Sequence, residues 1–267
     1  MSGKRAAAIV LRQFYLYRGS PSRILPLFGW VAIDVTLWGF FSRYMNGIAP
    51  SRLNFVPALL GVVMMWDFLI RVMQGVTTTF FEDVWSRNFL NVFASPLSIS
   101  EYVSGLVVSS IANSTVGLLT MLVLASVVFG LSFFIYGLPI VPLVLVLFVF
   151  GVTLGILSCA IVLRLGPAAE WLIWPLPALL SPLACVFYPL SALPPWLQVL
   201  ARLIPPSYVF ESMRGIVAGR GFSPASFGVA GGEAIAYLAL AGWFFTHIYR
   251  YAVRTGLIAR YSAESVN

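Results

Sequence analysis

The stretch FYPLSALPPWLQVLARLIPPSYVFESMRGIVAG, Phe187–Gly219, decides how this chain is read. It lies between two apolar runs and is too proline-rich for one spanning helix, yet too apolar for an ordinary soluble loop. Its pattern predicts two short helices. Pro194 and Pro195 open the first, because a fixed φ and a missing N–H suit the start of a helix. Trp196 to Ile204 then forms an apolar stripe interrupted by Gln198 and Arg202, and Pro205 and Pro206 break it. Ser207 is the expected N-cap of the second helix, and Gly219 its C-terminal stop. Two settings fit this pattern. The helices dip into a membrane edge, or they lie on the surface as amphipathic parts of an outer loop. Irregular backbone at membrane depth has to be shielded by protein or water.

The surrounding composition leaves little doubt about solvent. The 267 residues are 60% hydrophobic and 9% charged, with mean hydropathy +0.94. Soluble domains carry roughly 25% charged residues. The chain therefore reads as an integral membrane protein, with room for about six spans of ~20 residues. Its net charge of +7 comes from basic residues flanking apolar runs. That placement fits lipid headgroups and orientation, and it points away from nucleic acid. Cys159 and Cys185 each sit in an apolar run without metal-ligand spacing, so neither a disulfide nor a metal site is expected. Lys4, Arg5, Arg12, Arg18 and Arg23 are too dispersed for a cleavable signal.

Outward from the deciding stretch, the chain divides as follows. Residues 1–23 mix Ile9, Leu11, Phe14, Tyr15 and Leu16 with Arg12, Gln13 and Arg18, a pattern for an amphipathic interfacial helix, the alternative being a disordered basic leader. Spans are expected near 24–42, 53–75, 103–129, 139–163, 171–190 and 228–248. Asp34 falls in the first, where an ionisable group must face protein or water. Asp67 and Arg71 fall in the second at i,i+4, the spacing of an intrahelical pair. Residues 76–102 form a charged connection, with an amphipathic helix expected over 79–93 and Ser98 and Ser100 as caps for the next span. Gly151 and Gly155 make a GxxxG pattern that permits close helix approach. Pro175, Pro177, Pro182 and Pro189 predict kinks or unwinding in the fifth span. With the N-terminus in the cytoplasm, eleven of the Lys and Arg residues fall inside and five outside, as the positive-inside rule requires. Both termini are then cytoplasmic, the 76–102 connection inside and the deciding stretch outside.

Several chemistries are excluded. A P-loop needs a lysine directly after its glycine turn, and the one lysine, Lys4, follows no such turn. The one histidine, His247, rules out a two-histidine metal site, and no GxSxG is present. His247 reads as an interfacial residue. No catalytic constellation is present, so the chain is not read as an enzyme.

Two segments carry a family resemblance. FFEDVWSRNFLNVFASPLSISEY, residues 80–102, has an aromatic pair, an acid, a short helix and a closing "sPls" turn. The stretch from Phe187 has a "P…LP" turn, a short helix, a proline break and an "E..R" ending, with Ile204-Pro205 where the family favours Asn-Pro. Together with the six-span layout these resemble the membrane subunit of ABC-2 type transporters over essentially the whole chain. The resemblance implies one all-α polytopic domain, residues 1–267, with six transmembrane helices. It implies an N-terminal interfacial helix over 1–23, a cytoplasmic coupling segment over 76–102, and a re-entrant helical hairpin over 191–220 between spans five and six. It implies a permease for export across a bacterial cytoplasmic (inner) membrane, paired with a second copy as a homodimer and with two ATP-binding subunits that carry the ATP and magnesium. Glu82, Asp83, Arg87 and Asn88 would meet the ATPase. Trp196, Glu211 and Arg214 would form the outer gate, with Glu211 and Arg214 equally suited to a fold-stabilising pair. Asp34, Asp67 and Arg71 are candidates for the path, although Asp67 and Arg71 read first as a neutralising pair. The expected cargo is a small amphipathic or hydrophobic molecule. The alternatives are a polysaccharide or glycolipid, or an ion-coupled carrier using Asp34, Asp67 and Glu233. No internal repeat between the halves supports the carrier.

Overall fold

The computed structural model describes residues 3–48, 56–86 and 97–257, and among them every regular element is a helix. Helix α1 spans Gly3–Gly19 and α2 spans Pro21–Ile48, separated by Ser20 alone. A π-helical turn, Val56–Leu60, leads into α3, Gly61–Trp85. Then follow α4 (Ile99–Phe129), α5 (Ile140–Leu165), the short α6 (Glu170–Ile173) and α7 (Leu176–Leu180), α8 (Pro195–Ala201), α9 (Pro205–Val217) and α10 (Pro224–Arg254). Among the described residues, four helical stretches are long and apolar enough to cross a membrane: Val56–Trp85, Ile99–Phe129, Ile140–Leu165 and Pro224–Arg254. Helix α2 matches them in length at 28 residues but is not among them.

Helix α3 is the centre of the bundle. It packs against α4 on one side and α5 on the other, and α5 in turn packs on α10. The approach is backbone-close on both sides. A Cβ at Gly151 of α5 would lie 2.8 Å from Val72 Cβ and 2.9 Å from the Leu69 carbonyl oxygen. One at Gly155 would lie 2.6 Å from Val76 Cβ, and one at Gly75 of α3 would lie 2.8 Å from Ser110 Cα on α4. The Ser110 hydroxyl donates to the Val72 carbonyl at 2.7 Å, a buried polar contact between the helices. The GxxxG pattern is therefore a helix-packing seam, with ridges of α3 seated where α5 lacks side chains.

Three expectations need correction. The helix expected over 79–93 does not start at Thr79: α3 runs unbroken to Trp85, and residues 87–96, with Arg87 and Asn88, lie outside the described residues. The Thr77, Thr78 and Thr79 hydroxyls donate to the carbonyls of Met73, Gln74 and Gly75, so a run that looks like a break stays helical. The fifth span is no single helix. It is reduced to α6, α7 and a series of turns, and Cys185 there adopts φ +56°. Each proline removes one backbone donor, which is what the unwinding reflects. Finally, Ser207 is not the cap of α9. That helix begins at Pro205 with Ile204 as N-cap, and Ser207 is buried in its first turn. Prolines at its first two positions have no N–H to satisfy, so the helix starts without a side-chain cap.

Other local signals match. Ser98 caps α4 in a reciprocal capping box with Glu101. Gly130 closes α4 at φ +68°, and the Arg43 guanidinium donates to the Val128 carbonyl there at 2.7 Å. Gly219 ends α9 at φ +75°. Cys159 and Cys185 are both free thiols and buried. Replacing Gly155 with valine should cost about 1–3 kcal/mol through overpacking against Val76. Thermal unfolding of the detergent-solubilised protein reads this out. Gly228→Ala, where an added Cβ meets nothing within 4 Å, should leave the midpoint unchanged or raise it.

Candidate functional site

Six residues of α3 fall on one face. Asp67, Arg71, Gln74, Thr78, Glu82 and Trp85 recur at spacings of three and four, so they stack along a single stripe. At 1.5 Å per residue the stripe is roughly 27 Å long, close to the thickness of a bilayer's hydrocarbon core. It forms one wall of a cleft of about 650 Å³. Trp30 and Asp34 of α2 also line it, together with Tyr17 of α1, Asn113 of α4 and Trp174 beside α6. The three candidate path residues, Asp34, Asp67 and Arg71, thus share one cavity, and Glu82 joins them. Within it the Arg71 Nε donates to Asp67 at 2.9 Å, both side chains largely buried. The Arg71 stem lies over Gly117 of α4, which fixes the guanidinium in place. At the other end, Glu170 accepts from the indole N–H of Trp85 at 2.9 Å and of Trp174 at 3.2 Å. One carboxylate therefore ties the end of α3 to the unwound fifth segment.

The sequence pattern singles out Asp67, Arg71 and Glu82 separately, without Gln74, Thr78 and Trp85 between and beyond them. The stripe's signal was present as polar residues at helical period, but an expected boundary at Gly75 cut it in two.

Helix α1 is held at the same end of α3. Arg5, Ile9, Arg12 and Gln13 share its inward face, while Leu11, Phe14 and Tyr15 are exposed. Ile9 packs on Gly105 of α4. Arg12 Nη1 bonds Asp83 at 2.5 Å, Gln13 Nε2 donates to Glu82 at 2.7 Å, and Arg5 reaches Glu101 at 3.5 Å. Asp83 is 1% exposed and also accepts from the Tyr102 hydroxyl at 2.8 Å. Burial works against the Arg12 charge, but the bond to Asp83 and its charge outweigh this and hold the guanidinium pKa above its ordinary value. Two of the basic residues expected at lipid headgroups, Arg5 and Arg12, are here engaged by protein carboxylates. Asp83 is enclosed, so its direct contacts are to α1 and α4.

The deciding stretch forms a second region. Arg214 bonds Glu211 at 3.1 Å. Arg214 also donates to the Val186 carbonyl at 3.2 Å, and Glu211 accepts from the Leu190 N–H at 3.3 Å. The pair therefore fastens the proline-rich turns to α9. Phe210 packs edge-on to Trp66 of α3 at 6.0 Å, joining this region to the central helix. Trp196 on α8 is 66% exposed. A separate cleft of about 480 Å³ borders α9, with Arg202, Glu211 and Arg220 among its walls. His247 is exposed and stacks on Trp243 at 5.8 Å.

Among the described residues the regular structure is all helical, with four stretches long and apolar enough to cross a membrane, which fits a multi-pass membrane protein. The family model for ABC-2 type transporters matches residues 6–218, and the chain belongs to that family as a membrane permease domain. It is a transport subunit and not the ATPase, and the family associates with ATP-binding subunits. A search of curated proteins found no match.

Removing Asp83 should be costly, because it leaves Arg12 and Tyr102 facing a site without their acceptor. Asp83→Ala is expected to lose about 3 kcal/mol or more. The Arg12→Ala/Asp83→Ala double-mutant cycle should give a coupling above roughly 1 kcal/mol. Chemical or thermal unfolding of the four purified proteins provides the measurement.

Proposed function

We propose that the chain is the permease subunit of an ATP-driven exporter. It moves a small amphipathic or hydrophobic substrate outward across a bacterial cytoplasmic membrane. The observation that carries this reading is the polar stripe of α3 within a cleft lined by the first, second and fifth segments, in a chain of the ABC-2 type transporter family. In the proposed arrangement α2 and the unwound segment 170–190 complete six crossings, both termini face the cytoplasm, and two copies flank one path. The Trp85 end of α3 then faces the cytoplasm. The α8 and α9 helices form a re-entrant outer gate containing Trp196, Glu211 and Arg214.

Coupling follows from how the Trp85 end is held. Two ATP-binding subunits, which carry the nucleotide and magnesium, engage the segment bearing Glu82, Arg87 and Asn88. Asp83 lies behind that surface and transmits its displacement to α1 and α4 through Arg12 and Tyr102. Because Glu170 grips Trp85 and Trp174, the same displacement reaches the unwound segment. ATP binding can shift the permease between two states only through contacts that differ between them. These links are where such differences would arise.

The test uses the permease co-expressed with its ATP-binding subunit and reconstituted into liposomes. Glu82→Lys and Arg87→Glu should each sever ATP hydrolysis from transport while leaving the unfolding midpoint near wild type. Gln13→Ala, which removes the Glu82 hydrogen bond but keeps its charge, should retain coupling. Full coupling in both charge-reversal variants removes these residues from the interface, and transport by the permease alone under an ion gradient overturns the ATP-driven reading.

A further inference from the structure

The cleft beside α3 has a charge and an aromatic lining that constrain what it can hold. Its walls carry the carboxyl groups of Asp34, Asp67 and Glu82 against the single guanidinium of Arg71. That guanidinium is bonded to Asp67 and lies over Gly117, so it is engaged by protein. Gln13 donates to Glu82. Among the described residues, Asp34 has no hydrogen-bonded partner, and the opposite charge that acts on it is Arg71. A carboxylate surplus therefore faces the cavity, centred on Asp34.

The aromatic part of the wall is arranged to match. Trp30, Trp85 and Trp174 line the cavity. Glu170 engages the N–H of both Trp85 and Trp174, so those indoles retain their ring surfaces for a ligand. Phe81 packs against both rings, at 5.8 and 6.3 Å between centroids, which restricts their movement. Indole faces attract cations through the ring quadrupole, most strongly where water is excluded. An anion would meet the unpaired Asp34 with its only cationic partner already occupied. The volume of about 650 Å³ suits a molecule of drug size.

Building on the permease reading, we infer that this cleft binds an organic cation with a flat or branched apolar body. Asp34 supplies the countercharge and Trp30, with the Glu170-held indoles, supplies the surface.

Fluorescence polarisation of rhodamine 6G, a cationic xanthene, against the purified permease in detergent tests this, with fluorescein as the anionic xanthene of similar frame. The ATP-binding subunit is omitted, so a failure of ATP coupling cannot affect the result. Conversely, a permease that couples ATP to transport but binds no cation defeats this inference alone. The wild type should bind rhodamine 6G saturably and fluorescein at least tenfold more weakly. Asp34→Asn should weaken rhodamine 6G binding by about tenfold. Trp30→Leu, at an exposed position less exposed to folding loss, should weaken it several-fold. Equal binding of the two dyes overturns the inference, as does unchanged rhodamine 6G affinity in both variants.

Discussion

The architecture depends on how closely α3 is gripped. Gly151 and Gly155 bring α5 onto it, and Gly75 brings it onto α4. In hydrocarbon no hydrophobic effect drives helices together, so contact area and interhelical hydrogen bonds must do so. The absence of side chains at these three positions provides the area, and the Ser110 hydroxyl provides the bond. With two flanks of α3 enclosed, its polar stripe is left as a third face that neighbouring helices line without filling. The cleft is thus a by-product of asymmetric packing around one helix, and its polar groups stay accessible because the apolar ones are used elsewhere.

Much of this was legible in the residues. Hydropathy located the long helices, the Asp67–Arg71 and Glu211–Arg214 spacings predicted pairs that exist, and Ser98 announced the start of α4. Clustered prolines in 175–189 foretold unwinding. What failed was boundary placement. The sequence pattern ends the second span at 75 and opens a new helix at 79, across the threonines at 77–79. Their hydroxyls instead bond to the preceding turn, and the helix continues. The prolines at 205 and 206 read as a break when they are the first residues of α9. Both errors have one origin, since a residue's role depends on which neighbouring groups accept its hydrogen bonds.

The sign of α1 was the harder matter. Its composition, basic and aromatic, describes a helix lying on lipid headgroups, and nothing local reveals that acids far along the chain lie beneath it. Glu82, Asp83 and Glu101 are ordinary charged residues in sequence. Only tertiary packing makes them the acceptors for Gln13, Arg12 and Arg5. Likewise Glu170 has no sequence feature that marks it as the residue joining Trp85 to Trp174.

The distance between these partners imposes an order on biogenesis. Arg12 precedes Asp83 by 71 positions, and Arg5 precedes Glu101 by 96. At typical synthesis rates of about 5–20 residues per second, the ribosome needs roughly 4–19 s to supply the later acids after their α1 partners. During that interval Arg5 and Arg12 are without the carboxylates that hold them in the folded chain. Docking follows when α3 and α4 arrive. The N-terminal helix is thus made before α3 and α4 and seated only once their acids are in place.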